Sequence, residues 1–141
     1  MAGVNSRRVT LGALVGGVVW TVWTFVVNTV VLGRFYEGAQ KSGELLTEPR
    51  YSLFLLYWIL AIFVISYVLA WLYAGVRATR GAGPRTALTL GLLVGFTIAF
   101  PLNLTTAAWI PISRVFPLWW MLDLWVGAIL ASFVAGWLYK D

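Results

Sequence analysis

The residues with the greatest capacity for chemistry are one aspartate and two asparagines that interrupt long apolar stretches. Asp123 is the only charged residue inside the four apolar runs of the chain, and Asn28 and Asn103 lie in two of the other runs. An ionisable side chain in a membrane helix costs about 2.5–3.5 kcal/mol at mid-depth, so it usually faces the protein interior and has a partner. We expect Asp123 to pair with Arg114, the nearest basic residue, or with one of the asparagines.

These three polar residues lie at similar depths in their runs. Asn28 and Asn103 fall near the ends of the first and third runs, and Asp123 falls near the start of the fourth. At 1.5 Å per helical residue, all three lie about 6–9 Å below the outer boundary. The layer predicts either an outward-opening pocket with a titratable carboxyl or a structural lock that fixes helix register. The candidate ligand-binding pocket comprises Asn28, Asn103, Trp109, Arg114, Trp119, Trp120 and Asp123.

The composition excludes most catalytic and metal chemistry. The chain has no cysteine, no histidine and five acidic residues among 141. Disulfides, thiol catalysis, iron–sulfur clusters, His-ligated haem and most zinc sites are therefore excluded. The sequence also lacks a catalytic triad and a pair of close carboxylates. We expect a protein that is not an enzyme, with no metal and no cofactor.

Four apolar runs position the polar residues. Hydrophobic residues make up 61% of the chain and charged residues 11%, whereas soluble domains are about half apolar and a quarter charged. A helix needs about 20 residues to cross a bilayer, and backbone polar groups in lipid must be paired within the segment. The sequence therefore predicts one all-α domain over residues 1–141. Its four transmembrane helices are expected at about 9–32, 51–76, 86–108 and 117–139.

The basic residues predict the orientation of these spans. Cytoplasmic loops carry an excess of Lys and Arg. Six basic residues flank the spans on one side: Arg7, Arg8, Arg77, Arg80, Arg85 and Lys140. Four basic residues accompanied by three glutamates flank them on the other: Arg34, Lys41, Arg50, Arg114, Glu37, Glu44 and Glu48. We expect a multi-pass protein of the inner (plasma) membrane with both termini in the cytoplasm. The short loops offer no concentrated basic face for nucleic acid.

Small residues recur at four-residue spacing near the predicted cytoplasmic ends of the spans. Lipid provides no hydrophobic drive for helix association, so close contact relies on small residues that let backbones approach. We expect the bundle to be tight at this end and wider at the outer end, with contacts between chains as the alternative role. The residues predicted to pack helices are Gly12, Gly16, Ser66, Ala70, Gly91, Gly95, Ser132 and Gly136.

The two halves of the chain share sequence. The segment TLGALVG at 10–16 matches TLGLLVG at 89–95, and SYVLAWLY at 66–73 matches SFVAGWLY at 132–139. We interpret residues 1–80 and 81–141 as tandem helical hairpins. An approximate two-fold axis along the membrane normal would relate them, as in parallel repeats.

The layout of a polar break in span one, a basic turn and a compact final hairpin resembles the small four-helix integral membrane proteins of bacteria. The resemblance covers topology only and implies no activity and no site residues. The leading hypothesis is a non-enzymatic membrane protein that binds a lipid-like small molecule or the transmembrane surface of a larger complex. The alternative is a small dimeric transporter or channel with Asp123 as its ion or proton site. Expected partners are membrane lipids, a second copy or another membrane protein.

Overall fold

The structure, a computed structural model, describes residues 3–139, and every regular element in that range is helical. The elements are α1 (Ser6–Val26), a π-helical turn (Val27–Val31), α2 (Gly33–Ser42), α3 (Phe54–Arg80), α4 (Pro84–Trp109) and α5 (Val115–Leu138). Four helices are long and apolar enough to cross a membrane, the first being α1 continued through the π-helical turn. The predicted all-helical class and four apolar spans are confirmed.

A fifth helix was not predicted. The first span ends in a π-helical turn, and after Leu32 the chain begins the ten-residue α2, which ends at Ser42. Gly43 follows with a φ of 84°, a left-handed conformation that favours glycine and often ends helices. Because α2 is short and carries Arg34, Glu37 and Lys41, it does not qualify as a span.

The basic flanks lie inside helices and not in loops, which corrects the expected boundaries. Arg77 and Arg80 form the last turn of α3, and Arg85 lies in the first turn of α4. Only residues 81–83 connect these helices, and Gly81 and Gly83 turn the chain with positive φ angles of 86° and 137°. Arg7 and Arg8 likewise belong to α1. Lys140 lies outside the described residues.

We call the end of the bundle that carries Arg7, Arg8, Arg77, Arg80 and Arg85 the basic end, and the opposite end the far end. Helix α5 is central, because it packs against α1, α3 and α4. Helix α1 also packs along α3, whereas α3 and α4 touch over a smaller area.

Backbones approach closely in the half of the bundle nearest the basic end. A Cβ atom added to Gly12 would lie 3.1 Å from the Cα of Ala135, and one added to Gly91 would lie 2.7 Å from the Cα of Ile129. Gly16 and Gly95 face α5 in the same way, against Ala131 and Ala128. All four glycines of the two matched segments thus contact the central helix.

The small residues of α3 and α5 also lie inside. Ser66 and Ala70 are buried, and Gly136 faces the Tyr73 ring and Ala87. Ser132 is fully buried, and its hydroxyl donates to the Ala87 carbonyl of α4 over 2.7 Å.

Two tyrosines tie helix ends together at the basic end. The Tyr73 hydroxyl, near the end of α3, accepts a hydrogen bond from the Gly83 backbone N–H at 2.9 Å. The Tyr139 hydroxyl, after the end of α5, accepts one from the Asn5 backbone N–H at 2.9 Å. Gly83 and Asn5 are the N-cap residues of α4 and α1, so each bond joins the end of one helix to the start of another.

The bundle is less closely packed toward the far end along α3 and α4. Every residue from 51 to 57 is exposed, which includes the whole first turn of α3. On α4, Leu102 and Leu104 are exposed and Trp109 is 84% exposed. Helix α4 contains Pro101 and remains helical to Trp109.

Candidate functional site

Asp123 lies in a hydrogen-bonded contact between α1 and α5. The residue is 2% exposed. The Thr24 hydroxyl donates to its Oδ1 at 2.9 Å, and the Asn28 amide donates to its Oδ2 at 3.2 Å. The Trp23 indole N–H donates to its backbone carbonyl at 3.1 Å. Three donors from the first span therefore bind one residue of α5.

The π-helical turn positions Asn28. Leu32 N–H bonds the Val27 carbonyl five residues back at 2.9 Å, the spacing of a π-helix. The Asn28 amide also donates to the Thr24 carbonyl at 2.9 Å, which holds the side chain along its own helix. Single π-helical turns inside α-helices occur frequently at functional sites. Here the turn places one asparagine in contact with Thr24 and Asp123 together.

Helix α2 caps this contact from the far end. The Tyr36 hydroxyl donates to Asn28 Oδ1 at 2.7 Å, and the Trp120 indole N–H donates to the Tyr36 oxygen at 2.7 Å. Burial raises the pKa of the Tyr36 phenol, and the nearby Asp123 carboxylate acts in the same direction. Tyr36 therefore stays protonated and remains a donor at neutral pH.

We call Trp23, Thr24, Asn28, Tyr36, Trp120 and Asp123 the polar cluster. An apolar layer encloses it at the far end, where Val27, Leu32, Ala39 and Phe116 are buried together. The Tyr36 and Phe116 rings lie 5.2 Å apart, so α2 rests on the first turn of α5. The backbone N–H of Ser113 also bonds the Glu44 carboxylate at 3.4 Å, which joins the two far-end connections.

The candidate pocket residues predicted from sequence do not all meet. Asn28, Trp120 and Asp123 are in the polar cluster, and Trp119 packs against the neighbouring apolar layer. Trp109 projects from the end of α4 and is exposed.

Of the partners expected for Asp123, an asparagine is found, because the Asn28 amide donates to its carboxylate, and Arg114 is not. Arg114 is exposed at the N-cap of α5. It lies nine residues before Asp123, which is about 14 Å along a helix axis. A rigid helix cannot bring these side chains together, so neutral donors from the first span serve Asp123 instead.

Asn103 stands apart from the polar cluster. It is 5% exposed and continues the buried stripe that includes Gly91, Gly95 and Ala99 on α4. Its amide donates to the Ala99 carbonyl of its own helix at 2.7 Å. No described residue donates a hydrogen bond to its side-chain oxygen.

The sequence does not predict that Trp23 and Tyr36 belong to the polar cluster around Asp123. The sequence gives only a weak indication that Trp23 joins a buried polar contact, because an indole near a membrane boundary is ordinarily interfacial. Thr24 carried a better one, since it lies one helical turn before Asn28 and therefore on the same face.

The hydrogen bonds of the polar cluster all join one helix to another or to its own chain. Both carboxylate oxygens of Asp123 are occupied by donors from the first span. Two open cavities lie at the basic end, and neither is lined by a member of the cluster. Residues 3–139 contain no group of three or more acidic side chains that could hold a metal ion. The cluster thus joins α1, α2 and α5, and each carboxylate oxygen of Asp123 accepts one hydrogen bond from the first span.

No protein-family model, curated protein or solved structure matches the chain.

Proposed function

We propose that the chain is a non-enzymatic integral membrane protein that binds a lipid-like molecule along the far-end halves of α3 and α4. The observation that carries this proposal is the exposure of α3 around its whole circumference at Phe54, Leu55, Leu56 and Tyr57, each about half exposed. Four consecutive residues cover one helical turn. This turn therefore has no neighbouring helix on any side within residues 3–139. In a membrane, lipid chains or an apolar protein surface must cover it.

The side chains of this surface favour lipid over a partner helix. Helix interfaces in membranes are enriched in small residues, but the small residues Ser66, Ala70 and Ala74 of α3 are already buried in the bundle. The exposed residues of its far half are mainly bulky, such as Leu60 and Val64. Flexible acyl chains fill the spaces between bulky side chains more readily than a rigid helix does.

Asn103 supplies a polar contact for such a ligand. It lies on α4 six residues before Trp109, about 9 Å below the helix end. The Asn103 side-chain oxygen has no donor within residues 3–139 and is not fully enclosed by the protein, so it is open to a ligand on this surface. A lipid-like molecule with a hydroxyl or amide near its headgroup would satisfy this oxygen.

The test is lipid analysis of protein extracted directly from membranes in polymer nanodiscs. We expect a specific amphiphile at stoichiometric occupancy in the wild type, and a loss of about tenfold for Asn103→Leu, as for one lost hydrogen bond. The matched control is Thr105→Val, which removes an exposed hydroxyl of the same helix that bonds only the Pro101 carbonyl. A protein helix retained in place of lipid, or full retention by Asn103→Leu, contradicts the proposal.

The alternative is a dimeric transporter or channel with Asp123 as the ion or proton site. Its support is the hydrogen-bonded series from Trp120 through Tyr36 and Asn28 to the carboxylate. Against it, each oxygen of the carboxylate already accepts a hydrogen bond from the first span, and neither open cavity at the basic end reaches Asp123. We therefore favour the structural role of Asp123, and a flux measurement separates the two.

We further propose that the two halves are related by an approximate two-fold axis and that the basic end faces the cytoplasm. The Tyr73–Gly83 and Tyr139–Asn5 bonds support the axis, because it would exchange α1 with α4 and α3 with α5. The contacts of Gly12 and Gly91 depart from this symmetry. The axis would place Gly91 against α3 if Gly12 faces α5, but both glycines face α5. The concentration of arginine supports the orientation.

A further inference from the structure

Four arginines at the basic end have no partner among residues 3–139. Arg7 and Arg8 lie in the first turn of α1, Arg80 ends α3, and Arg85 lies in the first turn of α4. None of these side chains forms a hydrogen bond or an ion pair with a described residue. Arg77 differs, because its guanidinium lies 4.8 Å from the Tyr139 ring centroid and donates to the Tyr139 carbonyl.

These four arginines line two open cavities. The larger, about 710 Å³, is lined by Asn5, Arg7, Arg8, Thr10, Leu11 and Leu14. The smaller, about 230 Å³, is lined by Arg80, Arg85, Thr86 and Thr89. In each, guanidinium groups lie beside the first turns of a membrane-spanning helix.

The charge placement is unfavourable without an anion. The N-terminal end of a helix carries about half a positive charge, so cations there are destabilising and anions stabilising. Both α1 and α4 place arginine in the first turn, and neither has an acidic residue there. An anion bound in each cavity would offset the arginine charges and the helix dipole together.

The two cavities occupy matching places in the repeat. Thr10 and Thr89 are the first residues of the matched seven-residue segments, and each lines its cavity. Each hydroxyl donates to the carbonyl four residues earlier, Ser6 and Arg85 respectively. Both halves therefore have the same threonine hydrogen bond about one turn from an arginine, while the arginines themselves stand at different positions of the repeat.

The larger cavity also continues onto apolar surface. Leu11 and Leu14 lie one to two turns below the arginines and are 39% and 54% exposed. A ligand spanning this cavity would have an anionic head at Arg7 and Arg8 and an apolar tail along the two leucines. A free phosphate would use only the head position.

We propose that each cavity binds the phosphate group of a membrane phospholipid in the leaflet at the basic end. Arginine forks match phosphate oxygens in bidentate geometry, and basic residues at the ends of membrane-spanning helices bind anionic phospholipid headgroups. The larger cavity lies along α1 alone, and the smaller lies between α3 and α4. In the larger site the acyl chain lies against Leu11 and Leu14. This inference does not depend on the lipid proposed at α3 and α4, because the two surfaces lie at opposite ends of the bundle.

The experiment is native mass spectrometry of purified protein in detergent with three added ligands. These are dioleoylphosphatidylglycerol, dioleoylglycerol with the same chains but no phosphate, and inorganic phosphate. The wild type is expected to bind two phosphatidylglycerol molecules and to discriminate against both other ligands. Arg7→Gln/Arg8→Gln and Arg80→Gln/Arg85→Gln are each expected to weaken one site about 30-fold.

The matched control is Arg34→Gln/Arg50→Gln, which removes two exposed arginines at the far end and changes the net charge equally. Circular dichroism identifies any variant that fails to fold, and Arg7→Lys/Arg8→Lys then tests the first site with its charge retained, where a partial loss is expected. Equal losses in the far-end control would overturn the proposal, as would unchanged binding by both basic-end pairs. Equal binding of dioleoylglycerol excludes a phosphate site, and saturation by inorganic phosphate alone excludes the lipid.

Discussion

Tyr73 and Tyr139 face each other at the basic end, with ring centroids 6.3 Å apart and ring planes inclined by 65°. The two residues align in the sequence repeat, and each hydroxyl accepts the backbone N–H of an N-cap residue in the other half. A two-fold axis passing between the rings would exchange the two hydrogen bonds. If the halves are equivalent, these two hydrogen bonds should contribute equally to stability, so substitutions of the two tyrosines test the equivalence.

Tyr73→Phe and Tyr139→Phe are expected to destabilise the protein by similar amounts, about 1 kcal/mol each, since each removes one hydrogen bond to a helix start. The measurement is the free energy of unfolding in mixed detergent and SDS micelles. Tyr67→Phe is the control, because Tyr67 is 45% exposed on the lipid-facing side of α3. A large loss for one tyrosine and none for the other would contradict equivalence of the halves.

Asp123→Asn is expected to cost about 2 kcal/mol, because the new amide brings a donor against Thr24 or Asn28 where an acceptor was. Asn28→Ala removes the same contact from the other side. A double-mutant cycle should therefore give a coupling energy of about 1 kcal/mol between the two positions. Additive losses would show that the hydrogen bond does not hold the first span to α5.

The same Asp123→Asn variant tests the alternative function in liposomes. If Asp123 is a structural residue, the wild-type protein gives no proton or cation flux above empty vesicles. A wild-type flux that Asp123→Asn abolishes would establish the transport role and would contradict the structural assignment.

The proximity of Asn28 and Asp123 follows from sequence, because both fall at the same depth in antiparallel spans and polar side chains in lipid seek each other. The contribution of Tyr36 does not follow. It depends on a π-helical turn at Val27–Val31 that redirects the chain into α2, and such a turn depends on tertiary contacts more than on local propensity. Arg114 does not meet Asp123, because nine residues of α5 separate the two positions although they are close in sequence.

The helix contacts can likewise be predicted from the sequence only in part. Glycine spacing indicates which faces pack, and Gly12, Gly16, Gly91 and Gly95 do lie against another helix. The partner in every case is α5, which no spacing pattern reveals. The choice depends on how the complete set of side chains fills the bundle.

Gly127→Ala is expected to destabilise the protein by about 1–3 kcal/mol, the usual cost of overpacking a core. A Cβ atom at Gly127 would overlap the Trp20 indole, which is fully buried. Gly75→Ala is the matched control, since a Cβ there meets no atom within 4 Å. It should be neutral or stabilising by up to about 1 kcal/mol, because alanine favours a helix over glycine. Equal effects of both changes on thermal unfolding would show that the indole does not require glycine at this position.

Tyr36→Phe is expected to loosen α2 while leaving the four spans intact, because the Tyr36 hydroxyl links α2 to Asn28 and Trp120. Hydrogen–deuterium exchange should accelerate at Gly33–Ser42 and not in α5. Tyr51→Phe, at a residue that is 70% exposed, is the control. Unchanged exchange in α2 would mean that apolar packing alone holds the cap.

The raised pKa of Tyr36, caused mainly by burial, gives this contact a pH dependence. The folded protein holds the phenol proton more tightly than the unfolded chain does. The protonated Tyr36 phenol therefore contributes its full stability to the folded protein below the pKa of about 10 that it has in the unfolded chain. That contribution is lost as pH rises through its higher pKa in the folded protein. The unfolding temperature of the wild type should fall above about pH 10, and that of Tyr36→Phe should fall less over the same range.

Single cysteines can establish the orientation, because the chain has no native cysteine. Ala82 lies in the exposed turn at the basic end and Glu48 in the exposed far-end connection. If the arginine-rich end faces the cytoplasm, a membrane-impermeant maleimide should label Glu48→Cys in intact bacterial spheroplasts and Ala82→Cys only after permeabilisation. Ala128→Cys, at a fully buried position of α5, should resist labelling in both conditions. The opposite pattern for the first two variants would place the basic end and its proposed phosphate sites in the outer leaflet.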